Sequence, residues 1–363
     1  MEFKAFTFSI KSLIDLYEKD ELILDPPYQR NFIWSKADQE QLIDSILNNY
    51  PLPNLFFLKK EEKLEVVDGQ QRIRTIINYH KGLLIPKNKN QRKENIKYDK
   101  FLNYILLRIE ITSLEEGKDF IEDFYTRVNK TGLKLNKPEL NKAEYFYTEF
   151  LALNQELASC EQINELDIFT DATTKRMNDI DFISELVALL NFGIYDKKDK
   201  VEELYDTDIT PEIKENLKND FIEILDIFIV LNTVSSIKKS RYKQRNDFFT
   251  LFGFIKDLRD RLTIEDFIYI YNILILIQDD ISPSNEFCPP FREYALNCVS
   301  QSNSKPARSK RLKFLHDLFL NKSMKPSFEQ AEVMKYYEIN AYKLQPLSSD
   351  FNSIPLEPIR GLK

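Results

Sequence analysis

The stretch LEVVDGQQRIRTI, residues 64–76, decides how the N-terminal part of this chain folds. The apolar run LEVV predicts a strand, and the Asp-Gly pair that follows it predicts a tight turn. The next residues predict a helix with one buried face, formed by Ile73, Ile76, Ile77 and His80. These elements leave unexplained the three polar side chains at the junction, Gln70, Gln71 and Arg72.

The chemistry of this junction suits a phosphate group. Gly69 can adopt a positive φ or let a ligand approach closely, and a helix begins with unpaired N–H groups at its positive end. Arg72 adds a planar fork of donors, and Gln70 and Gln71 add amides. Asp68 can hold a metal-bound water. An equally consistent interpretation is structural, with an Asp-Gly turn, a glutamine helix cap and an arginine–carboxylate pair.

A second polar stretch, ILDPPYQRNFIW, occupies residues 23–34. Two prolines hold the chain extended before Tyr28, Gln29 and Arg30, and Trp34 follows. An aromatic ring beside an arginine can stack on a base while the guanidinium binds phosphate. Tyr28 and Trp34 are also suited to ordinary core positions.

Other basic residues receive different expectations. Arg74 lies about 200° around the helix from Arg72, so we expect it to be a solvated surface arginine. The runs IKKSRYKQR (237–245) and KPARSKRLK (305–313) predict the sizeable positive patches of the molecule, where any DNA or RNA would bind. Charge runs of this kind also occur simply as solvated helix faces.

Composition limits the class of protein. The chain has 363 residues, 43% of them hydrophobic, with 27 Phe and 18 Tyr, which is enough for a folded protein with two lobes. There are 51 basic and 58 acidic residues, giving a net charge of −7, so nucleic-acid contact must be confined to a local patch.

The chain shows no targeting or cysteine-based signature. Charges interrupt every apolar stretch of the N-terminus, which predicts neither a signal peptide nor a membrane span, and we expect the cytoplasm. Cys160, Cys288 and Cys298 have no CxxC spacing, so the pattern supports neither a disulfide framework nor a cysteine zinc site.

The hydrophobic periodicity predicts an α+β fold. Residues 1–115 alternate between strand and helix patterns and predict a small α/β lobe, whereas residues 116–343 predict a mainly helical lobe. Residues 344–363, with three prolines, predict an extended tail. Ser35 with Asp38 resembles a capping box. Further helices are predicted at 178–193, 211–231, 246–260, 264–278, 309–321 and 327–342.

Several motifs in order resemble the domain-of-unknown-function 262 family. They are PPYQRNFIW, LIDSILNNYPLPNLFF, VVDGQQRIRTI, FYTRVNKTGLKLNKPEL (124–140) and KRMNDIDFISELVALL (175–190). The resemblance covers roughly the first 200 residues and implies an N-terminal lobe related to the ParB and sulfiredoxin fold. Family members with the DGQQR motif are associated with nucleoside-triphosphate binding or hydrolysis in bacterial defence against phage, including restriction of modified DNA.

The resemblance implies a set of site residues. The nucleotide turn is Asp68, Gly69, Gln70, Gln71 and Arg72, with Asp68, Gln71 and Arg72 in the catalytic role. The implied nucleotide-binding neighbours are Tyr28, Gln29, Arg30, Arg127, Asn129 and Thr131. The segment RVNKTG also suits a helix end broken by Gly132. Arg176 and Asp179 match the family too, and their i, i+3 spacing equally suits an intrahelical pair.

One departure from the family directs the functional hypothesis. Many relatives carry a C-terminal HNH nuclease domain, which needs closely placed histidines, and this chain has only His80 and His316, both expected to be structural. We therefore expect a nucleoside-triphosphate-binding and hydrolysing module, with Mg²⁺, that acts with a separately encoded effector or nuclease subunit. The alternative is a non-catalytic DNA-binding or scaffold protein that retains the fold. Direct DNA cleavage is the third hypothesis, and the histidine count speaks against it.

Overall fold

The computed structural model describes residues 2–26, 32–96, 98–113, 124, 136–339, 343–348 and 350–361. The chain divides into two compact units. The N-terminal unit comprises Met1–Phe146 with Asp171–Asn178, and the C-terminal unit comprises Tyr147–Thr170 with Asp179–Lys363. Arg127, Asn129, Thr131 and Gly132 lie outside the described residues, and so do Tyr28, Gln29 and Arg30.

The N-terminal unit contains a five-stranded mixed sheet in the order β1-β5-β3-β4-β2. Its strands are β1 (Glu2–Ser9), β2 (Leu22–Ile23), β3 (Leu55–Lys60), β4 (Lys63–Asp68) and β5 (Ile105–Ser113). The hairpin β3–β4 and the pair β1–β5 are antiparallel, whereas β3 with β5 and β2 with β4 are parallel. The strand predicted at 64–67 is thereby confirmed, because it lies in β4 and forms the central hairpin of the sheet with β3.

The helices of this unit cover the sheet. They are α1 (Ile10–Glu18), α2 (Lys36–Leu47), α3 (Gln70–His80), α4 (Tyr98–Leu102), α5 (Lys137–Glu144) and α8 (Asp171–Lys175), with 3₁₀ turns at Lys89–Gln91 and Lys93–Asn95. The α2 capping box of Ser35 and Asp38 is present as predicted. The core takes Ile43 from α2, Phe57 and Val66 from the hairpin, and Ile73 and Ile76 from α3, all fully buried.

The C-terminal unit is mainly helical. Its helices are α6 (Glu149–Ala158), α7 (Glu161–Leu166), α9 (Asn178–Phe192), α10 (Asp199–Thr207), α11 (Pro211–Val234), α12 (Arg245–Leu258), α13 (Ile264–Ile277), α14 (Pro289–Val299), α15 (Lys305–Phe319), α16 (Phe328–Tyr336) and α17 (Leu356–Arg360). Two 3₁₀ turns occupy Ile237–Lys239 and Arg241–Lys243. The six helices predicted between 178 and 342 are therefore present, with ends shifted by up to four residues except for the last helix, which ends at Tyr336 and not at 342, and the α+β class is confirmed.

The C-terminal segment differs from the expected extended tail. Strands β6 (Gln345–Leu347) and β7 (Phe351–Ser353) form an antiparallel hairpin. Ile354 and Ile359 are fully buried, and the Tyr269 hydroxyl donates to the Ile354 carbonyl at 2.9 Å. Burial of these scattered apolar side chains on α13 supplies the stability that a local sequence pattern does not reveal. Among the described residues, no helix is long and apolar enough to cross a membrane.

Candidate functional site

The turn between β4 and α3 requires glycine. Gly69 is the N-cap of α3 and has φ 102°, in the left-handed region that L side chains rarely adopt. A Cβ at this position would clash with Leu55 Cδ2 and would lie 3.5 Å from Arg72 Nη2. The backbone can therefore pass close to β3 only because position 69 has no side chain.

Arg72 organises the protein around this turn. Its Nη2 donates to Asp68 Oδ2 at 2.8 Å and to the Asn54 carbonyl at 3.1 Å, and its Nη1 donates to the Pro53 carbonyl. Burial lowers the pKa of Arg72, and the charge and hydrogen bond of Asp68 oppose that effect. Because both terminal nitrogens bind protein oxygens, Arg72 ties the entry of β3 to the turn.

The two glutamines anchor the second polar stretch. Gln71 Oε1 accepts from the backbone N–H of Ile33 at 2.9 Å and of Trp34 at 3.2 Å. Gln70 Nε2 donates to the Leu24 carbonyl at 2.7 Å and to Asp25 Oδ1 at 2.9 Å. The chain on both sides of residues 27–31 is thus bonded to the first turn of α3, so the two motifs singled out in the sequence lie together.

Asp25 also interacts with charged groups on α3 and α5. Arg74 Nη2 donates to Asp25 Oδ1, the same oxygen that Gln70 reaches. Lys142 on α5 is half-buried, and burial lowers the pKa of its amine, while the negative charge of Asp25 opposes that effect. The expectation that Arg74 is a solvated surface arginine is wrong, because its side chain is 30% exposed and forms an ion pair.

Neither Asp25 nor Lys142 was singled out in the sequence. Asp25 precedes a proline pair, and that position suggests only a turn. Lys142 lies in an ordinary helical pattern, NKAE, with no local signal of function. Their proximity depends on packing between segments more than one hundred residues apart, which no local pattern encodes.

Arg176 has a structural role within the N-terminal unit. Its Nη2 lies 3.2 Å from Oε2 of Glu139, whose side chain is fully buried. Glu139 also forms the capping box of α5 with Asn136, and the Asn136 amide donates to the Arg176 carbonyl at 2.8 Å. Arg176 therefore holds the start of α5, close in sequence to Lys142.

The two histidines make structural contacts. His80 Nδ1 lies 2.5 Å from the Tyr98 hydroxyl, and burial lowers the pKa of His80. His316 lies edge-on to Phe254, and burial lowers the pKa of His316 as well. Within the described ranges, no group of three or more His, Cys, Asp or Glu residues could hold a metal ion by itself.

Three arginines of the two basic runs, Arg241, Arg308 and Arg311, are largely or fully buried in the C-terminal unit, whereas the Arg245 side chain is 39% exposed. Arg308 and Arg311 are each 1% exposed, and Arg308 donates to Glu185 Oε2 at 2.6 Å. Arg241 bonds the fully buried Asp247, and Arg245 donates to Glu185 Oε1 at 2.9 Å. The prediction of two positive patches is therefore wrong for Arg241, Arg308 and Arg311, because carboxylates, carbonyls and a hydroxyl inside the unit bind them.

Comparison with known proteins gives one match. Residues 10–146 match the family model described as GmrSD restriction endonuclease, N-terminal domain. No curated protein and no solved structure matched the chain. The matched range includes the Gly69 turn, residues 23–34 and Lys142. This part of the chain is therefore similar to the N-terminal domain of a restriction-endonuclease family.

Proposed function

We propose that this chain is the nucleoside-triphosphate-binding and hydrolysing module of a bacterial restriction system directed against phage. The main support is that Gln70 and Gln71, beside the Gly69 turn, bond Leu24 and Ile33 on either side of residues 27–31. A glycine turn at a helix N-terminus offers backbone N–H groups and a positive dipole end to phosphate. The similarity of residues 10–146 to a restriction-endonuclease domain supports the biological setting.

The residues have separate roles in this proposal. The phosphates bind at the Gly69 turn, and Tyr28, Gln29 and Arg30 contact the nucleotide beside it. Water attacks the γ-phosphorus, the bond to the β–γ bridging oxygen breaks, and Asp68 and Gln71 orient that water. Arg72 is a positioning residue, because its terminal nitrogens already bind Asp68 and the carbonyls that precede β3. Arg127, Asn129 and Thr131 remain proposed neighbours by resemblance.

Mg²⁺ is compatible with this site. Mg²⁺ commonly uses one or two carboxylates together with substrate phosphates. The Asp68 side chain is 25% exposed and one of its oxygens pairs with Arg72, so Asp68 would hold the ion with phosphate oxygens. When bound, Mg²⁺ neutralises negative charge on the phosphates.

A non-catalytic alternative has its own support. Gln70, Gln71 and Arg72 are between 6% and 8% exposed, and the bonds described above use their side chains to hold backbone segments. A DNA-binding or scaffold protein that retains the fold for structural reasons would keep the same bonds. The difference between the two functions is turnover.

Phosphate release separates the two functions. Purified protein is supplied with a panel of nucleoside triphosphates and Mg²⁺, with and without DNA. We expect wild-type release above background and loss of release in Asp68→Ala. The matched control is Asp15→Ala, which removes an exposed carboxylate from α1. Binding without turnover supports the non-catalytic alternative, and unchanged turnover in Asp68→Ala removes the role of Asp68.

A separately encoded effector belongs to the proposal. The reason is that the sequence has only two histidines, His80 and His316. His80 packs on Tyr98 and His316 packs on Phe254. Affinity purification from the native host during phage challenge should recover a companion with nuclease or other toxic activity. Recovery of the chain alone, or metal-dependent plasmid nicking by the purified chain, contradicts the separate effector.

A further inference from the structure

A cluster of two cations and one carboxylate lies beside the Gly69 turn. Gln70 and Arg74 are four residues apart on α3, so their side chains project from the same face of the helix. Both reach Oδ1 of Asp25, and Lys142 interacts electrostatically with the same carboxylate. Gln70, the first residue of α3, therefore connects the cluster to the Gly69 turn, the proposed phosphate-binding site.

Among the described residues, the charges of this cluster do not balance. Arg74 and Lys142 together carry two positive charges, and Asp25 supplies one negative charge. Arg74 Nε is buried and has no hydrogen-bond partner among the described residues. A buried donor without an acceptor is costly, so the cluster has both a surplus charge and a donor for an additional anion.

The Asp25 side chain is more exposed to solvent than that of its partner Arg74. Its side chain is 69% exposed, whereas that of Arg74 is 30% exposed. An ion pair at this exposure contributes only about 0–1 kcal/mol, so a multiply charged ligand can replace the carboxylate. Arg74 contacts Asp25 through Nη2 alone, and the planar fork of its guanidinium matches phosphate oxygens.

We propose that Arg74 and Lys142 bind the terminal phosphates of a nucleoside polyphosphate, and that Asp25 is their internal counter-ion in the ligand-free protein. This inference rests on the proposed function, because the cluster gains a nucleotide only if the Gly69 turn binds one. It adds a subsite with its own ligand chemistry, since inorganic triphosphate carries the same groups without base or sugar.

The test compares the affinities of a nucleoside triphosphate and of inorganic triphosphate. Both are titrated calorimetrically into wild type, Arg74→Gln, Lys142→Gln, Asp25→Asn and the control Lys87→Gln, an exposed lysine of the same unit. Thermal melting without ligand checks that each variant is folded.

We expect opposite effects from the cations and the carboxylate. Arg74→Gln and Lys142→Gln should each weaken triphosphate binding about tenfold, the loss of one charge-assisted contact. Asp25→Asn should strengthen binding about fivefold, because a competing negative charge is removed. Lys87→Gln should bind as wild type does.

The outcomes separate this inference from the proposed function. If wild type binds nucleotide and both cation variants match Lys87→Gln, the subsite is overturned and the proposed function stands. If Asp25→Asn weakens binding, the counter-ion role is overturned. If only inorganic triphosphate binds, and does so through Arg74 and Lys142, the proposed function falls and the assignment of a nucleoside polyphosphate to the subsite falls with it. Absence of binding by wild type overturns both.

Discussion

Two ion pairs of this protein, one in each unit, differ strongly in their exposure to solvent. In the C-terminal unit, Arg308 and Glu185 pair at 2.6 Å with side chains 1% and 2% exposed. In the N-terminal unit, Arg74 and Asp25 pair with side chains 30% and 69% exposed. A pair fully removed from water must remain paired for the unit to fold, whereas a half-exposed pair can exchange its partner for a ligand.

The carboxylates of the C-terminal cluster are fully engaged. Glu185 accepts from Arg308 with one oxygen and from Arg245 with the other. Asp181 likewise accepts from Arg245 at 2.5 Å and from Lys198. This pairing compensates for lost hydration, although Arg245 Nε and Arg308 Nε are buried and have no hydrogen-bond partner among the described residues. The N-terminal cluster also has an unpartnered donor, Arg74 Nε, among the described residues, and it differs in that its ion pair is far more exposed to solvent.

Breaking the buried pair should give the largest effect. Arg308→Leu leaves a buried carboxylate short of a partner and should lower the free energy of unfolding by about 3–5 kcal/mol. Denaturant unfolding followed by circular dichroism measures it. Lys310→Leu is the control on the same helix, because Lys310 forms an exposed pair with Glu293. Equal midpoints for the two variants would show that the Arg308 pair is not needed for stability.

Filling the glycine turn should be the next largest effect. Gly69→Ala forces a β-carbon into the left-handed region and against Leu55, and should cost about 1–3 kcal/mol of unfolding free energy. Gly82→Ala is the matched control, because Gly82 has φ 75° but no atom of the described residues lies within 4 Å of the position that a β-carbon would take there. A loss no greater than that of Gly82→Ala would mean that the contact with Leu55 relaxes without cost.

The affinity of the cluster of Asp25, Arg74 and Lys142 for triphosphate should depend on pH through Lys142. The protonated amine binds phosphate, and burial lowers its pKa from the ordinary value of 10.5. The affinity for triphosphate should therefore begin to fall at a lower pH than it would if the lysine were exposed. The complete loss is about tenfold in affinity, or about 1.4 kcal/mol. Lys142→Arg, which stays charged, should remove this dependence. An identical pH profile for both proteins excludes Lys142 as its source.

The smallest effect should come from the surface lysines of the two basic runs. Lys238, Lys310 and Lys313 already pair with Asp167, Glu293 and Asp317. Replacing all three by Gln should change the slope of log affinity for DNA against log salt by less than about 1. Filter binding across a salt series measures that slope. A larger change would restore these runs as a nucleic-acid surface.

Local sequence patterns were sufficient to predict the strand, turn and helix that form the candidate site. The alternation of LEVV, the Asp-Gly pair and the helical spacing after it predicted β4, the turn and α3. The Ser35–Asp38 capping box was also readable, because its partners are three residues apart. These features depend on neighbouring residues, so their physical causes lie within one segment of the sequence.

Long-range pairing was not readable in the same way. KPARSKRLK has the composition of a solvated face, yet Arg308 reaches Glu185, which lies 123 residues away. Likewise Asp25 lies 49 residues from Arg74. The number of charges in a run can be counted from the sequence. The carboxylates that will lie near those charges depend on packing, and burial decides whether each charge remains in water.

The sequence by itself determined the α+β class, the glycine turn and the association of DGQQR with PPYQR in one set of motifs. Tertiary structure decided how those motifs meet, because Gln70 and Gln71 bond the chain on either side of residues 27–31. It also decided that Arg72 holds the start of β3, that Arg74 pairs with Asp25, and that the charge of Asp25 acts on Lys142. The physical reason is that periodicity and turn chemistry act between neighbours, whereas burial and ion pairing depend on which distant segments the packed core brings together.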